Sequence, residues 1–268
     1  MSGGPAAIPV AVAGAAGRLG GAVLRRLAGD PRFAVAACLE RPGHEALGRR
    51  PLPDVADLPP CAPDDGPWGA ARVLFDAGAA GAVAAHARRA AEGGLALVVA
   101  VTGLPAEAEE ACAAAAARVA VLVSPNLSLG VAVLADLARE AARRLPGYHV
   151  EIVEAHHAAK RDSPSGTALW LGREVAAARG WAWPQAARCG REGAVGPRPA
   201  AEIGIHSLRG GSIVGEHRVR LAGGGEQLEL AHVAESRDCF AAGALEAIAL
   251  VARSAPGRYT MADAAAGR

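Results

Sequence analysis

The segment Glu154–Ala168, EAHHAAKRDSPSGTA, gathers two imidazoles, a lysine, an aspartate and a Ser-Gly-Thr turn within fifteen positions. Few folding needs explain that density, because His, Lys and Asp add little to a core and are costly to bury unpaired. Pro164-Ser165-Gly166-Thr167 leads into ALWLGREVA, whose amphipathic spacing predicts a helix with Ser165 at its N-cap. The backbone N–H groups of Gly166 and Thr167 would then point out of the helix start, where an anion binds well. Cations beside such a terminus make a receptor for a carboxylate or phosphate, and a histidine there can move a proton near neutral pH. Taken alone, the His156-His157 pair also fits two solvated residues on a surface loop. Metal binding fits worse. Helical zinc pairs sit three or four residues apart, and neighbouring histidines on an extended segment point to opposite sides. No metal site is expected.

A second constellation lies near the start of the chain. The apolar run Ile8–Ala13 ends in Gly14-Ala-Ala-Gly17-Arg-Leu-Gly20, followed by a helical stretch, Gly21–Ala28, and a β-type run, Phe33–Leu39. Gly14 permits a tight turn, and Gly17 lets the backbone approach a pyrophosphate. Glu40 follows Gly20 by twenty residues, where the ribose hydroxyls of a dinucleotide would lie. A carboxylate there suits NADH, whereas Arg41 and Arg18 offer guanidinium groups to the 2′-phosphate of NADPH. Arg41 also reads as a solvated charge opening a loop. Either cofactor is compatible with these residues.

The elements that must hold these groups alternate along the first half. Val73–Phe75, Leu95–Val101 and Val119–Val123 read as buried strands, separated by alanine-rich helices at Ala79–Glu92 and Ala106–Ala117. Such alternation predicts a parallel sheet covered on both faces. Pro42–Gly69, rich in Pro, Asp and Gly, is expected to be mostly loop. After Pro125-Asn126 come a helix at Gly130–Arg144, a strand at Val150–Ala155, the charged motif and the helix from Ser165. A loop-like segment holding Trp181, Trp183 and Arg191 follows. Strands are then expected at Glu202–Ser207, Ser212–Leu221 and Gln227–Ala234, with a last helix at Cys239–Ala252. Glycines at 210–211 and 223–225 suggest antiparallel connections. An α/β lobe comes first and an α+β lobe second.

Composition narrows the function classes. The 268 residues suffice for a sizeable core, and a formal net charge of +1 supplies no basic field for nucleic acid. Five cysteines, odd in number and without a C-x-x-C, fit reduced thiols. The opening MSGGPAA has neither the basic nor the apolar region of a signal peptide, and apolar stretches such as Leu95–Val101 are too short for a bilayer. A cytoplasmic protein with no nucleic-acid or membrane partner is expected.

Joined, the glycine fingerprint and the charged motif resemble the bacterial dihydrodipicolinate reductases (4-hydroxy-tetrahydrodipicolinate reductases) of lysine and diaminopimelate synthesis. The likeness runs through VAVAGAAGRLG at Val10–Gly20, Leu39-Glu40-Arg41, NLSLGV at Asn126–Val131 and the Glu154–Ala168 motif. It continues in Arg191-Glu-Gly193, RGGSIVGEH at Arg209–His217, Ser236-Arg237 and Phe240–Gly243. The resemblance implies a Rossmann-like dinucleotide-binding domain at 1–125 plus 236–268. A substrate-binding and oligomerisation domain built on a mixed sheet would span 126–235, with four subunits meeting through that sheet. The implied substrate is a planar cyclic dicarboxylate carrying an imine, and the implied cofactor is NADPH or NADH. His156 matches the family's proton donor and Lys160 its catalytic lysine. His157, Gly166 and Thr167 match the contacts to substrate carboxylates. Cofactor contacts carry over to Gly14, Ala15, Ala16, Gly17, Arg18, Leu19, Glu40 and Arg41. They carry over also to Ala100, Val101, Thr102, Ser124, Pro125, Asn126 and Leu127. Hinge closure is expected near Asn126 and around Glu235–Cys239.

The chain also departs from the family pattern. The usual G-T-T-G turn reads Ala100-Val101-Thr102-Gly103, which adds a methyl group and removes a hydroxyl. D-F-T reads Asp76-Ala77-Gly78, and Gly-Val-Asn reads Gly130-Val131-Ala132. The loop after Glu40-Arg41 is short. These changes lie on the cofactor side, so an altered grip on the nicotinamide is expected. Two other readings fit the residues at this point: a reductase of another cyclic imino acid, and a nucleotide- or dicarboxylate-binding sensor without turnover.

Overall fold

Short apolar runs divided by helical segments must pair with one another under helices on both sides. The computed structural model describes residues 6–267. Its contacts divide the chain into one unit that runs to Leu129 and resumes at Asp238, and a second unit, Gly130–Arg237.

In chain order the first unit opens with β1 (Ile8–Ala13), α1 (Arg18–Ala28), β2 (Phe33–Glu40), β3 (Cys61–Pro63) and β4 (Val73–Asp76). It continues with α2 (Val83–Gly93), β5 (Ala96–Val99), α3 (Ala106–Ala115) and β6 (Ala120–Val123). Next come α4 (Leu129–Arg144), β7 (His149–His156), α5 (Gly166–Arg179), β8 (Ala187–Cys189), β9 (Ile203–Arg209), β10 (Gly215–Gly223) and β11 (Glu226–Ala234). The chain then returns to the first unit with α6 (Asp238–Arg253), β12 (Gly257–Tyr259) and α7 (Met261–Ala265).

The first unit's sheet is parallel throughout, in the order β12-β6-β5-β4-β1-β2-β3. Strands β4 and β5 are buried along their whole length, as their unbroken apolar runs require. Strand order reverses beside β1, and the crevice outside the strand ends at such a point is where α/β proteins bind ligands. This is the expected Rossmann-like fold. Two details differ from the sequence reading. Three-residue strands, β3 within the expected loop and β12 after α6, are too short to show a period. Helix α1 begins at Arg18 rather than Gly21, because Gly17 is its N-cap and Gly20 is already helical.

Gly20 has a steric reason to be glycine: an added Cβ would lie 2.1 Å from the Gly14 carbonyl oxygen. Backbone cannot yield as a side chain would. Gly20→Ala is therefore expected to lower the unfolding free energy by about 1–3 kcal/mol, read from urea denaturation, and to weaken dinucleotide binding in a parallel titration. Unchanged stability and affinity would refute this account of the loop.

The second unit carries a mixed sheet, β11-β10-β7-β9-β8. Strand β7 is central, antiparallel to β10 and parallel to β9. Val150, Ile152, Ile203, Ile205, Val219 and Leu221 lie in one core with Leu134 and Ala138 of α4 and Leu171 and Val175 of α5. The glycines at 210–211 do not join neighbouring strands, contrary to the simplest reading of that turn. They carry the chain around the end of β7, where Gly210 N–H donates to His156 O at 3.0 Å. Strand β7 thereby has both edges paired, as a buried strand must. The turn at 223–225 does join antiparallel neighbours, β10 and β11. Among the described residues no helix is long and apolar enough to cross a membrane.

Candidate active site

Alternation along β7 brings the polar site out of the core. Side chains two apart share a face, so Val150 and Ile152 are followed on the helix-covered face by Glu154 and His156. Register places Ser207 and His217 beside Glu154, and Arg209 beside His156. The face is thus apolar at one end and polar at the C-terminal end of β7. There Glu154, wholly buried, accepts from both terminal nitrogens of Arg209, at 2.8 Å from Nη1 and 2.7 Å from Nη2. It also accepts from Ser165 N–H at 3.0 Å and meets His156 Nδ1 at 2.6 Å. Burial alone would raise this carboxyl. The donors Arg209, His156 and Ser165, with the Ser207 hydroxyl alongside, overcome that and hold it at about 2.

With Nδ1 engaged, Nε2 is the His156 nitrogen left to act. Burial pushes the ring's pKa below the usual histidine value; the Lys160 and Arg209 charges add to this, and Glu154 opposes it. Gly215 flanks the ring, and a Cβ there would approach Nε2 to 3.2 Å. His217 stands edge-on to His156, with centroids 5.3 Å apart, and its Nε2 is 3.0 Å from Ser165 Oγ. That same Oγ accepts from Ala168 N–H at 3.1 Å, which is the predicted N-cap. The Gly166 and Thr167 amides therefore lie in the first turn of α5, and a Cβ added at Gly166 would meet nothing within 4 Å.

Lys160 Nζ lies 2.8 Å from Asp162 Oδ1, and His157 Nε2 lies 3.2 Å from Arg237 Nη2. All five residues expected to act on substrate fall within 156–167 of the second unit. Glu154 could have been paired with His156 from the E-x-H spacing, since both must share a strand face. Arg209, His217 and Arg237 come from distant segments, and only the register and the turns reveal their roles.

His217 has a consequence for stability. It is buried, its Nδ1 has no hydrogen-bond partner among the described residues, and burial, then the neighbouring His156, pushes its pKa down to about 3. An unfolded histidine titrates near 6.5, so between these values the unfolded chain binds more protons. Stability should fall as pH drops through that window, with Glu154 adding to the loss below about 4.3. In His217→Gln the dependence between about pH 6.5 and 4.5 should flatten, as read from urea midpoints at successive pH values. A variant retaining the full slope would refute the assignment.

In the first unit the expected cofactor residues line the C-terminal ends of β1, β2, β5 and β6. Gly14 adopts φ +73°, donates to Leu39 O at 3.0 Å, and has no room for a Cβ, which would sit 2.5 Å from Ala77 O. Gly17 caps α1, and Arg18 and Leu19 form its first turn, with Ala15 and Ala16 in the loop before it. Ala16 N–H donates to Glu40 Oε1 at 2.7 Å, tying that loop to the end of β2 beside Arg41. Ala100, Val101 and Thr102 follow β5, and Ser124, Pro125, Asn126 and Leu127 follow β6. Ser124 Oγ donates to Asn126 O at 2.6 Å.

A turn with no room for a Cβ at Gly14 or Gly20, set at a helix start beside a carboxylate, fits a dinucleotide. The departure at Asp76-Ala77-Gly78 is braced from within. Asp76 accepts from Gly78 N–H at 2.9 Å and meets His86 Nδ1 at 2.7 Å, while Asp64 lies 3.4 Å from the other ring nitrogen. Burial works against the His86 cation, but the bond and charge of Asp76, with Asp64, raise its pKa.

Fold and site together fit a nicotinamide-dependent oxidoreductase of a small anionic substrate: one unit carries the glycine turn at a helix start, the other a tethered imidazole, a lysine and the start of α5. The chain belongs to the dihydrodipicolinate reductase family. Residues 8–127 match the family model for the dihydrodipicolinate reductase N-terminus and residues 130–264 that for its C-terminus. The chain is 44% identical over 259 residues to the 4-hydroxy-tetrahydrodipicolinate reductase of Anaeromyxobacter sp. (strain Fw109-5), covering 96% of this chain and 97% of that one. The Rubrobacter xylanophilus enzyme of the same name is 43% identical over 264 residues, with 96% and 97% covered.

Among solved structures, the dipicolinate-bound dihydrodipicolinate reductase from Paenisporosarcina sp. TG-14 shares the fold, with a TM-score of 0.74 at 24% identity over 95% of this chain and 97% of that one. The reaction is the NADPH- or NADH-dependent reduction of 4-hydroxy-tetrahydrodipicolinate in diaminopimelate and lysine biosynthesis. The two other readings, a different imino acid and a silent sensor, lose their support.

Proposed function

We propose that His156 is the proton donor of this reduction, with Lys160, His157 and the Gly166 and Thr167 amides as the receptor for the substrate's carboxylates. The observation that carries this is the tether of His156 Nδ1 to Glu154, which leaves Nε2 to face a reacting atom. A reduced nicotinamide supplies hydride to the ring when bound. The electron pair displaced toward the neighbouring carbon then needs a proton, which His156 Nε2 delivers. An approaching dianion raises the pKa of a nearby imidazole, so the substrate itself brings a depressed histidine into its acid form. Lys160 draws electron density toward the carboxylate end of the ring. The test is a coupled assay with freshly generated synthase product, following loss of reduced-cofactor absorbance. A folded sample that turns over with neither nucleotide would overturn the reading.

Several wider assignments belong with it. The unit around β1 takes the nucleotide through Gly14, Ala15, Ala16, Gly17, Arg18 and Leu19, Glu40 serves the ribose, and Arg41 serves a 2′-phosphate. The turns at Ala100–Thr102 and Ser124–Leu127 face the nicotinamide end. The second unit takes the substrate, and the protein works in the cytoplasm as a homotetramer.

Tetramer formation is supported by the sheet face opposite α4 and α5. It is laced with ion pairs such as Arg218–Glu229 and Arg191–Glu151, and it exposes Leu208 and Val233. A second copy of the same face can cover these. Leu208→Asp is expected to shift light-scattering mass from tetramer toward smaller species, and a monomeric wild type would refute the assembly.

A further inference from the structure

We propose that Arg209 and Glu154 act as a pair of positioning residues that fix which nitrogen of His156 carries the proton and where that ring titrates. The inference rests on His156 being the proton donor. A bare carboxylate 2.6 Å from Nδ1 would hold the ring protonated and make it a poor donor. A site without the carboxylate would leave the ring free to turn and to take either tautomer. The pair meets both needs. Glu154 still accepts the Nδ1 proton, so a neutral ring keeps its lone pair on Nε2 and an imidazolium releases its proton from Nε2. Arg209, permanently charged and bidentate, offsets the carboxylate's charge.

The rest of the surroundings single out Arg209 for this task. His156 is faced by Glu154 on its own strand, Arg209 on β9, His217 on β10, Lys160 and Asp162 in the following loop, and Ser165 at the start of α5. His217 is neutral and the Lys160 charge is matched by Asp162. The other bonds of Arg209 go to the carbonyl oxygens of Leu208 and Asp162, so its acidic side-chain partner in the hydrogen-bond network is Glu154. Stability alone does not account for such a pair, because apolar residues of similar volume often replace a buried ion pair at no loss. The sheet face here switches from apolar to polar at the row that holds Glu154, next to the row that holds His156.

The test is a ¹⁵N-imidazole NMR titration of the full chain alongside the pH profile of kcat. The wild-type neutral ring should carry its proton on Nδ1. Arg209→Gln should raise the His156 midpoint by about one pH unit or more, Glu154→Gln should lower it, and the alkaline limb of kcat, where a proton donor is lost, should follow each. Arg209→Lys, which keeps the charge, should return the midpoint most of the way. General loosening would instead move both single variants in the same direction, toward the ordinary histidine value, and that result would overturn the proposal. So would a wild-type neutral ring protonated on Nε2, a result that decides the matter even where a variant does not fold. If the NMR midpoints shift as expected but kcat does not follow, the proton-donor reading fails and the pair's effect on the ring stands.

Discussion

Replacing His156 with glutamine is expected to lower kcat by about 10²–10⁴-fold, the range contributed by a positioned general acid. Dinucleotide affinity should not change, because the cradle at Gly14–Gly20 belongs to the other unit. Glutamine suits this test. Its amide can still donate to Glu154 and satisfy the buried carboxylate, so the Glu154–Arg209 pair keeps its partners. Removing a partner outright would leave an unpaired buried charge and confuse folding with catalysis. Stability should therefore stay within about 1 kcal/mol of wild type. Steady-state rates across pH, with a fluorescence titration of the reduced nucleotide, measure both quantities. The pH limb that belongs to His156 should vanish in the variant. A kcat within about tenfold of wild type, below the general-acid range, would remove His156 from the proton-donor role.

The residues most legible in the sequence were those whose roles follow from local spacing. Ser165 as an N-cap, Gly14 as a left-handed turn and the parallel strands β4 and β5 need only neighbours a few positions away. Glu40 was also legible, because strand-turn-helix-strand geometry fixes its distance from the glycine loop. Its bond to Ala16 N–H was not, since that depends on how the loop closes. Arg209 and His217 were visible as parts of a motif but had no role until β7 was found between β9 and β10. Sequence order suggested that β9 and β10 were neighbours, yet the wrap around the end of β7 makes them its two flanks. That single topological fact brings Ser207, Glu154 and His217 into one row. The His86–Asp76–Asp64 cluster was invisible for a similar reason: Asp64 arrives from a segment with no period, and His86 looks like one polar residue on an alanine-rich helix.

Lys160→Met is expected to lower kcat/KM by about 10²–10³-fold, the cost of removing one preorganised charge that stabilises a transition state. Folding should scarcely notice. The Lys160–Asp162 pair lies at the surface, with Asp162 59% exposed, and such pairs contribute about 0–1 kcal/mol. The effect also divides informatively between kcat and KM. If Lys160 only anchors a carboxylate in the ground state, KM rises and kcat holds. If its charge also favours electron flow toward the ring, kcat falls as well, and the proposed mechanism requires this second pattern.

Asp162→Asn is the matching control. An arriving substrate carboxylate must compete with Asp162 for the ammonium group, so removing that competitor should shift kcat/KM by less than about fivefold. Methionine at 160 keeps the stem's packing while deleting the charge, so a large loss cannot be assigned to a cavity. A Lys160→Met enzyme that loses only affinity would reduce the lysine to a binding group and leave His156 to act without it.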